Sequence, residues 1–199
     1  MLFYFSLVIL ILTIGASLFW RRSFGNLRIT NLVRIYEYIF LIVIVLIFIL
    51  LFYQSWQQYQ FWSQNEVSQY LLPPHQSINY FIFYVLARFF APYLISLAVA
   101  VLFLFSAKAL NKKYDERFFE PEEPYFGALA IFLSAHPGWL FYVVFIISAY
   151  LLIHFYSLLI THYSLQRISL YYLWIPTAIF VIIIQRWLEL LPLWSLLKI

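Results

Sequence analysis

Arg88 is the residue from which chemistry is most readily argued. It is the lone charge in an apolar run from about Tyr80 to Phe105. A guanidinium inside a membrane helix is costly and marks a functional position by default. Pro92 follows in the next turn as an expected helix break, and its missing N–H leaves the carbonyl of Arg88 without a helical donor. His154 sits in the next long apolar run, from Trp139 to Ile160. Measured from the outer ends of their runs, Arg88 lies about 13 Å deep and His154 about 10 Å deep, at ~1.5 Å per residue. The spacing predicts one polar layer made of Arg88 and His154. Such a layer would hold a lipid phosphate, a quinone head group or a partner's carboxylate. The plainer alternative has Arg88 snorkelling to the head groups and His154 making one helix–helix hydrogen bond. Glu37 falls at the inner end of its own run, so the ionic partner of Arg88 is expected to be lipid or another chain.

Other chemistry is weaker. Glu120, Glu122 and Glu123 form an acidic cluster expected at the inner surface, and His136 could fold back towards it. The spacing matches no HExxH motif, and flanking prolines disturb helical presentation, so no metal site is expected. Ser134 precedes His136 by two residues, but no GxSxG surrounds it. A hydroxyl in a membrane helix usually bonds its own backbone. His136 and His154 lie at opposite ends of one run and cannot clasp a haem. Asp115 is the lone Asp, which excludes a paired-aspartate intramembrane protease. With 0 Cys there is no thiolate site, and with 4 Gly there is no phosphate-cradling loop. No catalytic residue and no cofactor are therefore predicted, although a bound lipid fits the pattern.

These side chains need elements to position them, and composition says what kind. The chain has 199 residues, 65% hydrophobic and 10% charged. A soluble domain carries about 25% charge. A chain this apolar cannot cover a water-soluble globule with polar surface. The formal charge of +4 then reads as membrane orientation rather than affinity for nucleic acid. The expected fold is an all-α, polytopic transmembrane bundle forming a single domain over residues 1–199. Five spans are expected at about 2–20, 35–53, 80–105, 139–160 and 170–185. Inner loops would lie at 21–34 and 106–124, and an outer loop at 54–79.

The apolar region from Tyr125 to Ile160 is about 54 Å long as one helix, too long for a core of roughly 30 Å. It must break, and His136-Pro137-Gly138 is the natural place, with Pro137 and Gly138 as the breaking residues. The segment from Tyr125 to Ala135 is too short to cross alone, so an interfacial or re-entrant helix is expected there. Ten basic residues fall in the supposed inner loops and the tail, while the outer loop contains no Lys or Arg and Arg167 stands alone on that side. That bias predicts an outer N-terminus and a cytoplasmic C-terminus, in a bacterial inner membrane or an organellar equivalent. Arg21 and Arg22 follow the first run instead of preceding it, so an uncleaved anchor is expected.

The outer loop alternates Trp, Tyr and Phe with Gln, which suits the head-group level or a surface that holds a partner. The spans form no two similar halves, so an inverted-repeat transporter is not supported. The leading expectation is a non-catalytic membrane subunit or assembly component, with lipids and other membrane subunits or further copies of itself as partners. A small transporter or channel component is the alternative, followed by a lipid-acting intramembrane enzyme. Nucleic acid is not an expected partner.

Overall fold

Two of the apolar runs become helical rods of 36 residues, longer than a bilayer requires. The computed structural model describes residues 2–23, 29–115, 118–161 and 170–198. Among these, α1 spans Leu2–Ser23 and α2 spans Ile29–Gln64. A third rod consists of α3 (Ile78–Val85), a π-turn at Leu86–Phe90 and α4 (Ala91–Lys113). Then come α5 (Glu123–Leu133), α6 (Gly138–Thr161), α7 (Trp174–Leu188) and the short α8 (Pro192–Leu197). The described residues contain no strand, and 5 of their helical rods are long and apolar enough to cross a membrane. The fold is an all-α bundle.

The short helix α5 is the core of that bundle. All of its residues are buried, so it does not lie in the interface; of the two expectations, the re-entrant one is closer. It packs most extensively on α4, then on α7, α2 and α6. Its sequence explains this. EPYFGALAIFL has no polar face to offer water, and its small residues let neighbouring helices approach. At Gly127 a Cβ would stand 2.5 Å from the Phe103 ring and 3.0 Å from Trp174. Asn111 closes the α4–α5 connection. Its amide donates to the Phe119 carbonyl at 2.8 Å and accepts the Phe119 N–H at 2.9 Å.

α5 runs antiparallel to α4. Tyr125 meets Lys108 at one end, and the His136 N–H reaches the Pro92 carbonyl at the other. That is a climb of about 24 Å along α4. The chain breaks between Leu133 and Gly138, with Ala135 in the left-handed region at φ 49°. α6 then descends the way α5 came: the Tyr142 hydroxyl donates to the Trp174 carbonyl, and Ile146 and Tyr150 line one cavity with Phe119 and Leu170. α7 climbs again and brings Gln185, Glu189 and Lys198 to the level of Arg88 and His136.

This corrects the expected direction of the last two long helices. Because α5 already carries the chain up through the bundle, α6 and α7 run opposite to the basic-residue count, and the C-terminal end lies where α1 begins. Ser6 lies beside Tyr93, and Lys198 lines the same cavity as Tyr93. The expected loops also shrink. α1 runs to Ser23 and α2 begins at Ile29, α4 continues to Lys113, and α2 runs to Gln64. Residues 54–64 are thus helical, since extending a nucleated helix adds one hydrogen bond per residue fixed.

Candidate functional site

Two clusters of polar groups sit at opposite ends of the bundle. At the end where α2 begins, the Lys108 ammonium donates to the Tyr125 hydroxyl at 2.7 Å and lies 4.4 Å from the centre of that ring. The Tyr125 hydroxyl in turn donates to a Glu37 carboxylate oxygen at 3.3 Å. Lysine and carboxylate are joined through a buried phenol. Glu122 and Glu123 lie close by in sequence, but they are buried at 7% and 1% exposure, not at the surface as expected. Buried carboxylates at the first turn of α5 suit the positive end of its dipole. Among the described residues no group of His, Asp and Glu is arranged to hold a metal.

The opposite end is built around the π-turn. Within it the Ala91 N–H donates to the Leu86 carbonyl, five residues back, so the register widens just before Pro92. Pro92 therefore does not break the rod, contrary to expectation; the π-turn absorbs its ring. The Pro92 carbonyl instead accepts two bonds, from the Ser96 hydroxyl at 2.8 Å and from the His136 N–H at 3.1 Å. The second bond ties the tip of the α5–α6 hairpin to the helix that carries Arg88. His136 also fixes the C-terminal segment: its Nε2–H donates to the Leu197 carbonyl at 2.6 Å. Its Nδ1 is buried without a hydrogen-bond partner.

Between these elements lies a cavity of about 220 Å³. Arg88, His136, Gln185, Glu189 and Lys198 line it, together with Pro92, Tyr93 and Trp194. The Gln185 amide donates to Glu189 at 3.3 Å. No protein-family model, curated protein or solved structure matches this chain. The cavity must therefore be read from its own chemistry.

The structure does not bring together Arg88 and His154. His154 stacks on Tyr150, 6.1 Å between ring centres and 10° between planes, far along α6 from the cavity. The expected polar layer is thus replaced by another, in which His136 takes the place of His154. An acid of this chain does reach the level of Arg88, namely Glu189, again contrary to expectation. Gln185, Glu189 and Lys198 were missed because α7 was assigned the opposite direction. One signal was available: Gln185 and Glu189 stand four residues apart on one helix and share a face. Ser134 is buried and donates to the Ala130 carbonyl at 2.7 Å, so it is not presented as a nucleophile. Arg28, Arg117 and Arg167, counted for orientation, lie outside the described residues.

Proposed function

We propose that the protein is a non-catalytic integral membrane component of a larger assembly, held by its neighbours through a two-helix stalk. The carrying observation is the hairpin formed by the end of α2 and by α3. These helices continue past the level of Arg88 by about ten residues, roughly 15 Å. They pack on each other through rings: Trp62 lies 4.8 Å from Tyr84 and 5.4 Å from Phe81, and Tyr59 lies 5.4 Å from Phe81. Asn65 ties the connecting turn by accepting the N–H groups of Val67 and Ser68, each at 3.0 Å. The outer faces stay apolar and exposed: Phe83 at 71%, Phe61 at 62% and Trp56 at 61%. Aromatic residues of this size are the usual anchors of protein interfaces.

In sequence, Arg21, Arg22, Arg28 and Arg34 fall where the chain passes from α1 to α2, and Lys108, Lys112, Lys113 and Arg117 where it passes from α4 to α5. Arg186 and Lys198 belong to the end opposite these two connections. The positive-inside rule puts the end with the connections in the cytoplasm. Both termini and the stalk then face outward, in a bacterial cytoplasmic membrane or an organellar equivalent. A reporter fused after Lys198 should signal from outside.

The test of the assembly reading is purification from native membranes in mild detergent. Wild type should bring defined partners, or further copies of itself, in fixed ratio. The double variant Phe61→Ser with Phe83→Ser should lose them while melting at the wild-type temperature. A wild-type protein that purifies alone and monomeric would sink the reading. A small transporter or channel component is the second reading, favoured by the way α5 ends inside the bundle beside a polar cavity. Non-regular backbone at membrane depth is tolerated where it is buried in protein or lines such a space.

A further inference from the structure

We propose that the cavity walled by the π-turn, the α5–α6 tip and the C-terminal segment is an oxyanion site that takes a phosphate group. Two cations from distant parts of the chain, Arg88 and Lys198, converge on it. Among the described residues neither side chain makes a hydrogen bond or an ion pair. Glu189 accepts from the Gln185 amide at 3.3 Å, and no ion pair joins it to Arg88 among the described residues. With Arg88, Lys198 and Glu189 on its wall, the cavity carries a net positive charge when His136 is neutral. A guanidinium fork and an ammonium together match phosphate oxygens.

Volume and wall chemistry limit the occupant. About 220 Å³ exceeds the ~150 Å³ that holds a benzene-sized molecule, which is room for a phosphate group. Pro92, Tyr93 and Trp194 supply an apolar wall on one side, while Arg88, Glu189 and Lys198 are exposed around it. His136 acts as a positioning residue. By donating to the Leu197 carbonyl it holds the chain so that Lys198, the next residue, closes the cavity. The phosphate comes either from a phospholipid head group or from free phosphate, and the same site chemistry serves both.

The experiment uses the full chain, purified in phosphate-free maltoside detergent. Phosphatidylglycerol or inorganic phosphate is added at matched ionic strength. Affinity is read from the rise in melting midpoint and from lipid retained in native mass spectra. At least one of the two should bind wild type. Protection by inorganic phosphate identifies a site for the free ion; protection by phosphatidylglycerol alone identifies a head-group site. Arg88→Gln and Lys198→Gln should each weaken binding about tenfold or more, the fold-change of one charge-assisted hydrogen bond. Glu189→Gln should tighten it, because a competing negative charge is gone. Lys112→Gln, exposed at the opposite end, should change nothing. If Arg88→Gln melts early without ligand, Lys198→Gln, in the exposed tail, carries the test. The proposal is overturned if neither probe binds wild type, or if both cavity variants bind like wild type. Because the isolated chain is used, failure of the assembly reading leaves this result intact.

Discussion

Both ends of the bundle carry charged side chains, and they use them differently. Where α2 begins, Lys108, Tyr125 and Glu37 satisfy one another in sequence, and Asn111 occupies both backbone groups of Phe119. These four residues bond within the chain, so the cluster fastens α4, α5 and α2 together. At the other end Arg88 and Lys198 face a cavity and bond nothing among the described residues. Groups that are mutually satisfied add to stability. Groups that line a cavity without bonding one another add little to it and are available to a ligand. Charge content alone does not separate these cases; the hydrogen-bond partners do.

The largest effect that would test this contrast comes from Gly127. A side chain there must displace Phe103 and Trp174, which already pack 5.4 Å apart by ring centres. Gly127→Leu should destabilise the bundle by about 3 kcal/mol or more, the upper range for overpacking. The measure is the thermal midpoint in detergent. A wild-type midpoint would mean that α5 is not wedged as described. Next comes Asn111→Ala, which strands a buried N–H and a carbonyl. A loss of about 2–3 kcal/mol is expected from two unmade bonds. Asn111→Asp keeps the acceptor but not the donor and should fall between Asn111→Ala and wild type. Equal midpoints for both variants and wild type would show that the α4–α5 turn is held by something else.

What could be read from the sequence follows the same division. The all-α class and the five long rods follow from runs of Leu, Ile, Val and Phe, because length and hydropathy are local properties. The break at Pro137 follows from a length too great for one span. The burial of α5 was not legible. An eleven-residue apolar helix carries no signal that separates lying on a bilayer from sitting inside a bundle. Its ascent then reversed α6 and α7, and with them the company of Arg88. The basic-residue count treats the segment before Pro137 as no traverse at all, so it placed Lys198 at the opposite end of the bundle from Arg88 and paired Arg88 with His154. The residues that did the misleading are thus Tyr125 to Ala135, whose packing partners come from four other helices.

A smaller effect sharpens the fastened end. Lys108→Met removes the donor to Tyr125 and the cation over its ring, while the methylene stem keeps its packing. A loss of about 1 kcal/mol is expected. For a chain of this size that is roughly 2–4 °C of midpoint. Tyr125→Phe, which cuts the link to both Lys108 and Glu37, should lose at least as much. If Lys108→Met is neutral while Tyr125→Phe is not, the bond to Glu37 is the one that matters, and the lysine merely lies over the ring.

The smallest effect is expected where the sequence drew most attention. Arg88→Gln should leave the midpoint within about 0.5 kcal/mol of wild type when measured in phosphate-free detergent, as for a surface substitution away from any satisfied network. The guanidinium makes no bond among the described residues, so nothing in the fold is left unpaired when it goes. Removing a charge also makes the helix easier to insert, so expression should not fall. The same substitution should erase the midpoint rise that phosphatidylglycerol or phosphate gives wild type. Lys108→Met should show the reverse: a lower midpoint in plain detergent and an undiminished rise with ligand. That crossed pattern is what separates an end that fastens the bundle from an end that binds. If Arg88→Gln instead costs as much stability as Lys108→Met in plain detergent, Arg88 is paired within the chain in solution, most simply with Glu189, and the two ends are alike after all.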